Sequence, residues 1–134
     1  IGASAQVDSS NSMVLGSIAG VNGATSSVKV GIGTTIPLSR LDVNGSVGAD
    51  IFIASSPVTL DETNYTVIIT GASVIVTLPA PAVCLRRIYV LVNQTASSRT
   101  ISSYLSFTGA AVTTIPANSS ITVQSNGASW YRIQ

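Results

Sequence analysis

The sequence predicts an all-β protein: a Gly-rich segment of short strands forming a shaft or β-roll over residues 1–50, then a β-sandwich or jelly-roll-like domain over 51–134. Three observations carry this. Helical periodicity is nearly absent, because Gly, Ser, Thr and β-branched residues interrupt every window in which a long amphipathic helix could start. Runs with apolar β-branched residues recur about every ten residues and are bounded by Gly, Pro and Asn, the spacing of a sandwich, with a small barrel as the alternative. The texture also changes near residues 50–57, where glycine thins out and longer strands begin.

In the first segment, Gly2, Gly16 and Gly31 recur at spacings of fourteen and fifteen, the last two closing similar stretches, Asn11–Gly16 and Ser26–Gly31. A unit this short cannot bury a core of its own, so it must stack along the chain or pair with other copies. Asn44-Gly45, set between Leu41/Val43 and Val47, predicts a two-residue hairpin, since both residues tolerate positive φ. Gly31-Ile32-Gly33 is not a dinucleotide fingerprint: Ile36 stands where its third glycine belongs, and no helix follows.

In the second segment, strands are expected at Tyr65–Thr70, Val74–Leu78, Ile88–Val92, Thr100–Phe107, Val112–Ile115, Ser120–Gln124 and Ser129–Ile133. Gly71-Ala72-Ser73 and Pro79-Ala80-Pro81 separate the first three, and Asn126-Gly127 links the last two as a tight hairpin. Val67, Ile69, Val76, Val90, Val92 and Ile133 are the expected core.

Composition narrows the chemistry. The chain has 134 residues, 46% apolar and only 8% charged, with 21 Ser and 14 Thr, so its polar surface is mostly hydroxyl and amide. Mean hydropathy of +0.51 with a net charge of +1 argues against disorder. With so few charges to hold copies apart, the apolar excess is expected in subunit contacts, hence an oligomer. The absence of histidine removes Ser-His-Asp and Cys-His catalysis and imidazole metal sites, so no metal or cofactor is expected. The lone Cys84, between Val83 and Leu85, reads as a buried, inert thiol.

Lys29, Arg40, Arg86, Arg87, Arg99 and Arg132 are scattered apart from one doublet, which speaks against nucleic-acid binding. That doublet reads as a solvated edge or an intersubunit ion pair. No apolar run approaches the roughly 18 residues of a membrane helix, so no membrane insertion is expected. The chain opens on Ile1 with no charged stretch leading into an apolar core, so no signal peptide is read and a processed or partial product is expected. Four Asn-X-Ser/Thr sequons, at Asn44, Asn64, Asn93 and Asn118, follow from a composition rich in these residues and assign no compartment.

If Tyr131 and Ile133 point inward in the last strand, Trp130 and Arg132 share its outer face. Aromatic faces stack on sugar rings and Arg offers a fork of donors, so Arg99, Tyr104, Trp130 and Arg132 are the candidate ligand-binding residues.

Asn11–Gly16 resembles the head repeats of trimeric autotransporter adhesins. Val30-Gly31-Ile32-Gly33-Thr34-Thr35-Ile36-Pro37, continuing through Leu41-Asp42-Val43-Asn44-Gly45, is similar to a segment of many phage tail fibres and related bacterial fibre proteins. Val76-Thr77-Leu78-Pro79, Ile88-Tyr89-Val90 and Ser125–Tyr131 resemble small β modules at tail-fibre tips. The resemblance implies a non-enzymatic homotrimer on a virion tail, a contractile injection particle or a cell surface, with a trimeric shaft and a tip that attaches to a cell-surface glycan or protein. Two other readings stand beside it. One is a purely structural virion or filament subunit, favoured if neighbouring subunits cover Trp130 and Arg132. The other is a polysaccharide depolymerase, whose carboxylate pair could come only from Asp8, Asp42, Asp50, Asp61 and Glu62.

Overall fold

The computed structural model describes residues 1–134, which divide into two compact units, Ile1–Gly48 and Ala49–Gln134. Regular structure is almost entirely strand, the exception being one 3-10 turn at Pro81–Val83.

In the amino-terminal unit the repeat stacks along its own chain. The Ile1 ammonium donates to the Val14 carbonyl, and the Gly16 N–H donates back to the Ile1 carbonyl at 2.7 Å. Val28 N–H then reaches the Ser17 carbonyl at 3.0 Å. Finally β1 (Val30–Ile32) pairs in parallel with β2 (Leu41–Val43), Val30 opposite Leu41. Gly16 is obligatory in this stack: its φ is +79°, and a Cβ there would stand 2.4 Å from the Val28 Cβ. Gly31 does not continue the Gly2–Gly16 contact and faces Thr34 and Pro37 instead.

The expected Asn44–Gly45 hairpin is absent. Asn44 extends the parallel ladder, its N–H donating to the Ile32 carbonyl at 2.9 Å and its side-chain amide to the Gly33 carbonyl at 3.2 Å. Gly16 is the one buried residue of this unit. Eleven large apolar side chains, Ile1, Met13, Ile36, Leu38 and Val47 among them, stand exposed there.

The second unit winds through three coils, each giving one strand to each of two parallel ladders. β3 (Ile51–Ala54), β5 (Thr66–Ile69) and β7 (Ile88–Asn93) form the first. β4 (Val58–Thr59), β6 (Ile75–Thr77) and β8 (Arg99–Leu105) form the second. The chain then reverses: β9 (Ala111–Ile115) lies antiparallel to β8, and β10 (Ser119–Ser125) antiparallel to β7. β11 (Trp130–Arg132) pairs with β10 and meets β8 at Leu105.

The result is a nine-stranded sheet in the order β3-β5-β7-β10-β11-β8-β6-β4, with β9 joined to β8, nearly closed into a barrel. The first coil, β3 and β4, supplies its two ends. The all-β expectation holds, and the sandwich-like domain takes the form of one sheet wrapped round a single core. Gly71 marks where successive coils touch: its N–H and that of Thr70 both donate to the Ala54 carbonyl, and a Cβ on Gly71 would fall 2.1 Å from the Ser55 carbonyl oxygen.

Val67, Ile69 and Val76 lie in the core with Leu60, Tyr89, Leu91, Ile101, Ile121 and Val123. Three other expected core residues do not. Val90 and Val92 are only half-buried on the outer face of β7, and Ile133 is exposed. Ile88–Asn93 is apolar on both faces, so alternation alone gives no direction. The register, Val67 opposite Leu91 and Ile69 opposite Asn93, turns the odd-numbered side chains inward. Asn93 tolerates this because all of its polar atoms are bonded. Its amide nitrogen donates to the Ser97, Ile115 and Pro116 carbonyls at 2.9, 3.2 and 2.8 Å, and its oxygen accepts from the Thr95 N–H and hydroxyl at 3.0 and 2.7 Å.

Candidate functional site

The four ligand-binding candidates do not assemble into one exposed site. Trp130, expected to face outward, is 3% exposed. The register Ser125 opposite Trp130 sets its ring over the core, 5.2 Å from the Tyr89 ring, and its indole N–H donates to the Pro79 carbonyl at 2.9 Å. Tyr131 takes the outward position instead. Tyr104 is equally buried, its hydroxyl donating to the Thr114 carbonyl at 3.0 Å. Both rings line a small cavity of about 200 Å³, to which neither Arg99 nor Arg132 contributes. Arg99 is spent on its own fold, donating to the Thr95 hydroxyl at 2.7 Å and to the Ala72 carbonyl. Arg132 lies over the Phe107 ring at 5.0 Å and donates to the Gln134 carbonyl.

The charged residues meet elsewhere. Of the seven charged side chains of the second unit, Asp50, Asp61, Glu62, Arg86 and Arg87 gather where the parallel strands β3, β5 and β7 begin. The ladder brings them together: Thr66 N–H donates to the Asp50 carbonyl and Val90 N–H to the Tyr65 carbonyl, both at 2.9 Å. All of these but Asp61 border a groove of about 410 Å³, lined by Asp50, Glu62, Asn64, Tyr65, Arg86 and Arg87 among others.

The two connections entering the groove, 60–65 and 78–87, are the longest between strands of the coils; those leaving β3, β5 and β7 are shorter. Long loops on a rigid sheet are where binding groups are ordinarily displayed.

Both connections are pinned. Thr63 donates to the Asp61 carboxylate through its hydroxyl at 2.7 Å and its N–H at 2.8 Å, while the Asn64 side-chain oxygen accepts from the Asp61 N–H at 3.1 Å. The Thr63 hydroxyl first, then its N–H and the Arg87 charge, hold the Asp61 carboxyl below its ordinary value. The buried Tyr89 donates its hydroxyl to the Asp61 carbonyl at 2.7 Å, fastening this loop to the core. Arg87 donates to the same hydroxyl at 3.4 Å and stands 4.0 Å from Glu62. That hydroxyl raises the Arg87 pKa, and burial raises that of Tyr89.

Arg86 is held in the left-handed region, φ +71°, an uncommon conformation for a long side chain. Its N–H donates to the Ser125 carbonyl at 2.9 Å, and its carbonyl accepts from the Gln124 amide at 3.2 Å. Its guanidinium takes part in neither an ion pair nor a hydrogen bond and stands exposed. A second groove, of about 520 Å³ along Val92–Gln94 and Asn118–Ser120, is uncharged. Cys84 is buried, its thiol donating to the Ala80 carbonyl at 3.0 Å. No set of three His, Cys, Asp or Glu side chains is grouped to hold a metal ion.

Sequence reasoning noticed the Arg86–Arg87 doublet but not the groove. Asp50, Tyr65 and Arg86 are neighbours only through the parallel register, which leaves no local signal. Compared with protein-family models, curated proteins and solved structures, the chain matches none.

Proposed function

We propose that the chain is a homotrimeric fibre or spike-tip protein, of a phage tail, a contractile injection particle or a bacterial surface, that attaches its particle or cell to a cell-surface glycan or protein. The amino-terminal unit supports this reading most. It stacks hydrogen-bonded stretches with one buried residue and eleven exposed large apolar ones. Apolar surface on that scale wants a partner, and copies of the same chain are the partners that a short stacked repeat calls for. The second unit, with its own core and a charged groove, is then the part that meets the receptor.

Attachment fits the groove better than cleavage. A glycosidase needs a general acid whose carboxyl is pushed up by burial. Glu62 is instead 83% exposed and beside Arg87, and the carboxyl of Asp61 is held down.

Light scattering on the full chain tests the reading. The expected mass is three times 13.6 kDa and survives dilution. A stable monomer overturns it.

A further inference from the structure

The geometry points to the groove at the starts of β3, β5 and β7 as a binding site for a carboxylate-bearing sugar, held by Arg86, Tyr65, Asn64 and Asp50. The inference deepens the attachment reading and rests on it for its biological sense, though the binding itself does not depend on trimer formation.

Each group matches one part of such a ligand. Arg87 stands 4.0 Å from Glu62 and donates to the Tyr89 hydroxyl, whereas the Arg86 guanidinium has neither an ion pair nor a hydrogen bond. Its planar fork of donors suits a carboxylate. Tyr65 is 40% exposed at the groove wall and offers a flat face for a sugar ring. The Asn64 side-chain oxygen is taken by Asp61 N–H, while its amide hydrogens bond nothing in the protein. They are therefore free to donate to a hydroxyl, and the exposed Asp50 carboxylate accepts from one.

The charge balance selects among anions. Two carboxylates beside two guanidiniums leave no net positive field, so a phosphate dianion or a nucleic-acid backbone meets repulsion from Asp50 and Glu62. A singly charged acid surrounded by hydroxyls satisfies both signs at once. A neutral sugar leaves Arg86 unmatched.

The site is also built before any ligand arrives. The Asp61–Asn64 loop is locked by three hydrogen bonds and tied to the core through Tyr89, and the left-handed Arg86 backbone is bonded on both sides. A bulky residue kept in that conformation is strain that the surroundings maintain, which is common where a side chain must be aimed. Preorganisation of this kind lowers the ordering cost of binding.

The test titrates the full chain with sialyllactose and with an oligogalacturonate, using lactose as the neutral control, and follows amide chemical shifts. The expected result is saturable binding of at least one acidic sugar, with shifts at residues 61–65 and 86–88 and none with lactose. The deciding variant is Arg86→Gly, because glycine accepts φ +71° without strain and so removes the guanidinium while keeping the fold. It should weaken binding at least tenfold, as should Tyr65→Ala. Failure of both acidic sugars to bind, equal binding of lactose, or undiminished binding by Arg86→Gly overturns the proposal. Scattering on the same samples separates the two claims. A monomer that binds acidic sugar ends the trimeric reading and keeps the site; a trimer that binds none ends the site and keeps the trimer.

Discussion

Asn93 is the polar residue on which the second unit most depends. Replacing it with Ala removes the donor shared by the Ser97, Ile115 and Pro116 carbonyls and the acceptor for the Thr95 N–H and hydroxyl. Ser97 and Pro116 are exposed, so water can replace their partner, whereas the buried Ile115 carbonyl keeps only its ladder partner Arg99 and gains no water. A buried hydrogen bond is worth about 0.5–1.5 kcal/mol net, and with one lost at Ile115 and about one in each of the two turns, the loss should be about 3 kcal/mol. Asn93→Asp should cost more, since it aims a second acceptor at three carbonyls. Urea unfolding of both variants at one fixed protein concentration measures this; with a slope of about 1–1.5 kcal/mol per molar, the Ala midpoint should fall by roughly 2–3 M. A loss below about 1 kcal/mol, or Asp milder than Ala, would refute the idea that this knot holds the ends of β7, β8 and β9 together.

Two further predictions concern the turns. Gly71→Ala forces a Cβ into the Ser55 carbonyl at 2.1 Å, and since backbone cannot swing aside as a flexible side chain can, a loss of about 2–3 kcal/mol is expected in thermal melts; an unchanged melt would show that the coils slide freely. The Asp61 carboxyl should titrate by carbon NMR below 3.8, and Thr63→Val should move it back up. Because its folded pKa is depressed, the folded state holds fewer protons there. The loop's contribution is therefore whole above the unfolded value and fades as pH falls through the folded one. Titration at or above 3.8 in the parent protein would contradict the hydrogen-bond assignment.

The seven strands from residue 65 onward were legible because nearly all are apolar or β-branched runs closed by Gly, Pro or Asn. Their partners were not. Ile88–Asn93 shows why: aliphatic side chains stand on both faces, and the decision passes to Tyr89 and Asn93, whose polar atoms find partners only inside the folded unit. Trp130 misled for a related reason, since a large ring with one N–H goes inward once the Pro79 carbonyl is there to receive it. Asn44–Gly45 has the chemistry of a tight hairpin, yet no second strand lies where one would pair. The site stayed hidden because its members come from three coils, and neither spacing nor charge runs record which residues a parallel ladder brings side by side.

The three-coil winding separates two kinds of change. Substitutions within the strands are read by the shared core, where each side chain answers to neighbours in adjoining coils. Substitutions or insertions in the connections ahead of β5 and β7 are read by the solvent and by whatever lies in the groove. A lineage carrying this fold can therefore alter what it recognises while its melting behaviour stays nearly constant. Diversity among related chains should collect around residues 61–65 and 80–87, leaving the ladders behind them almost untouched.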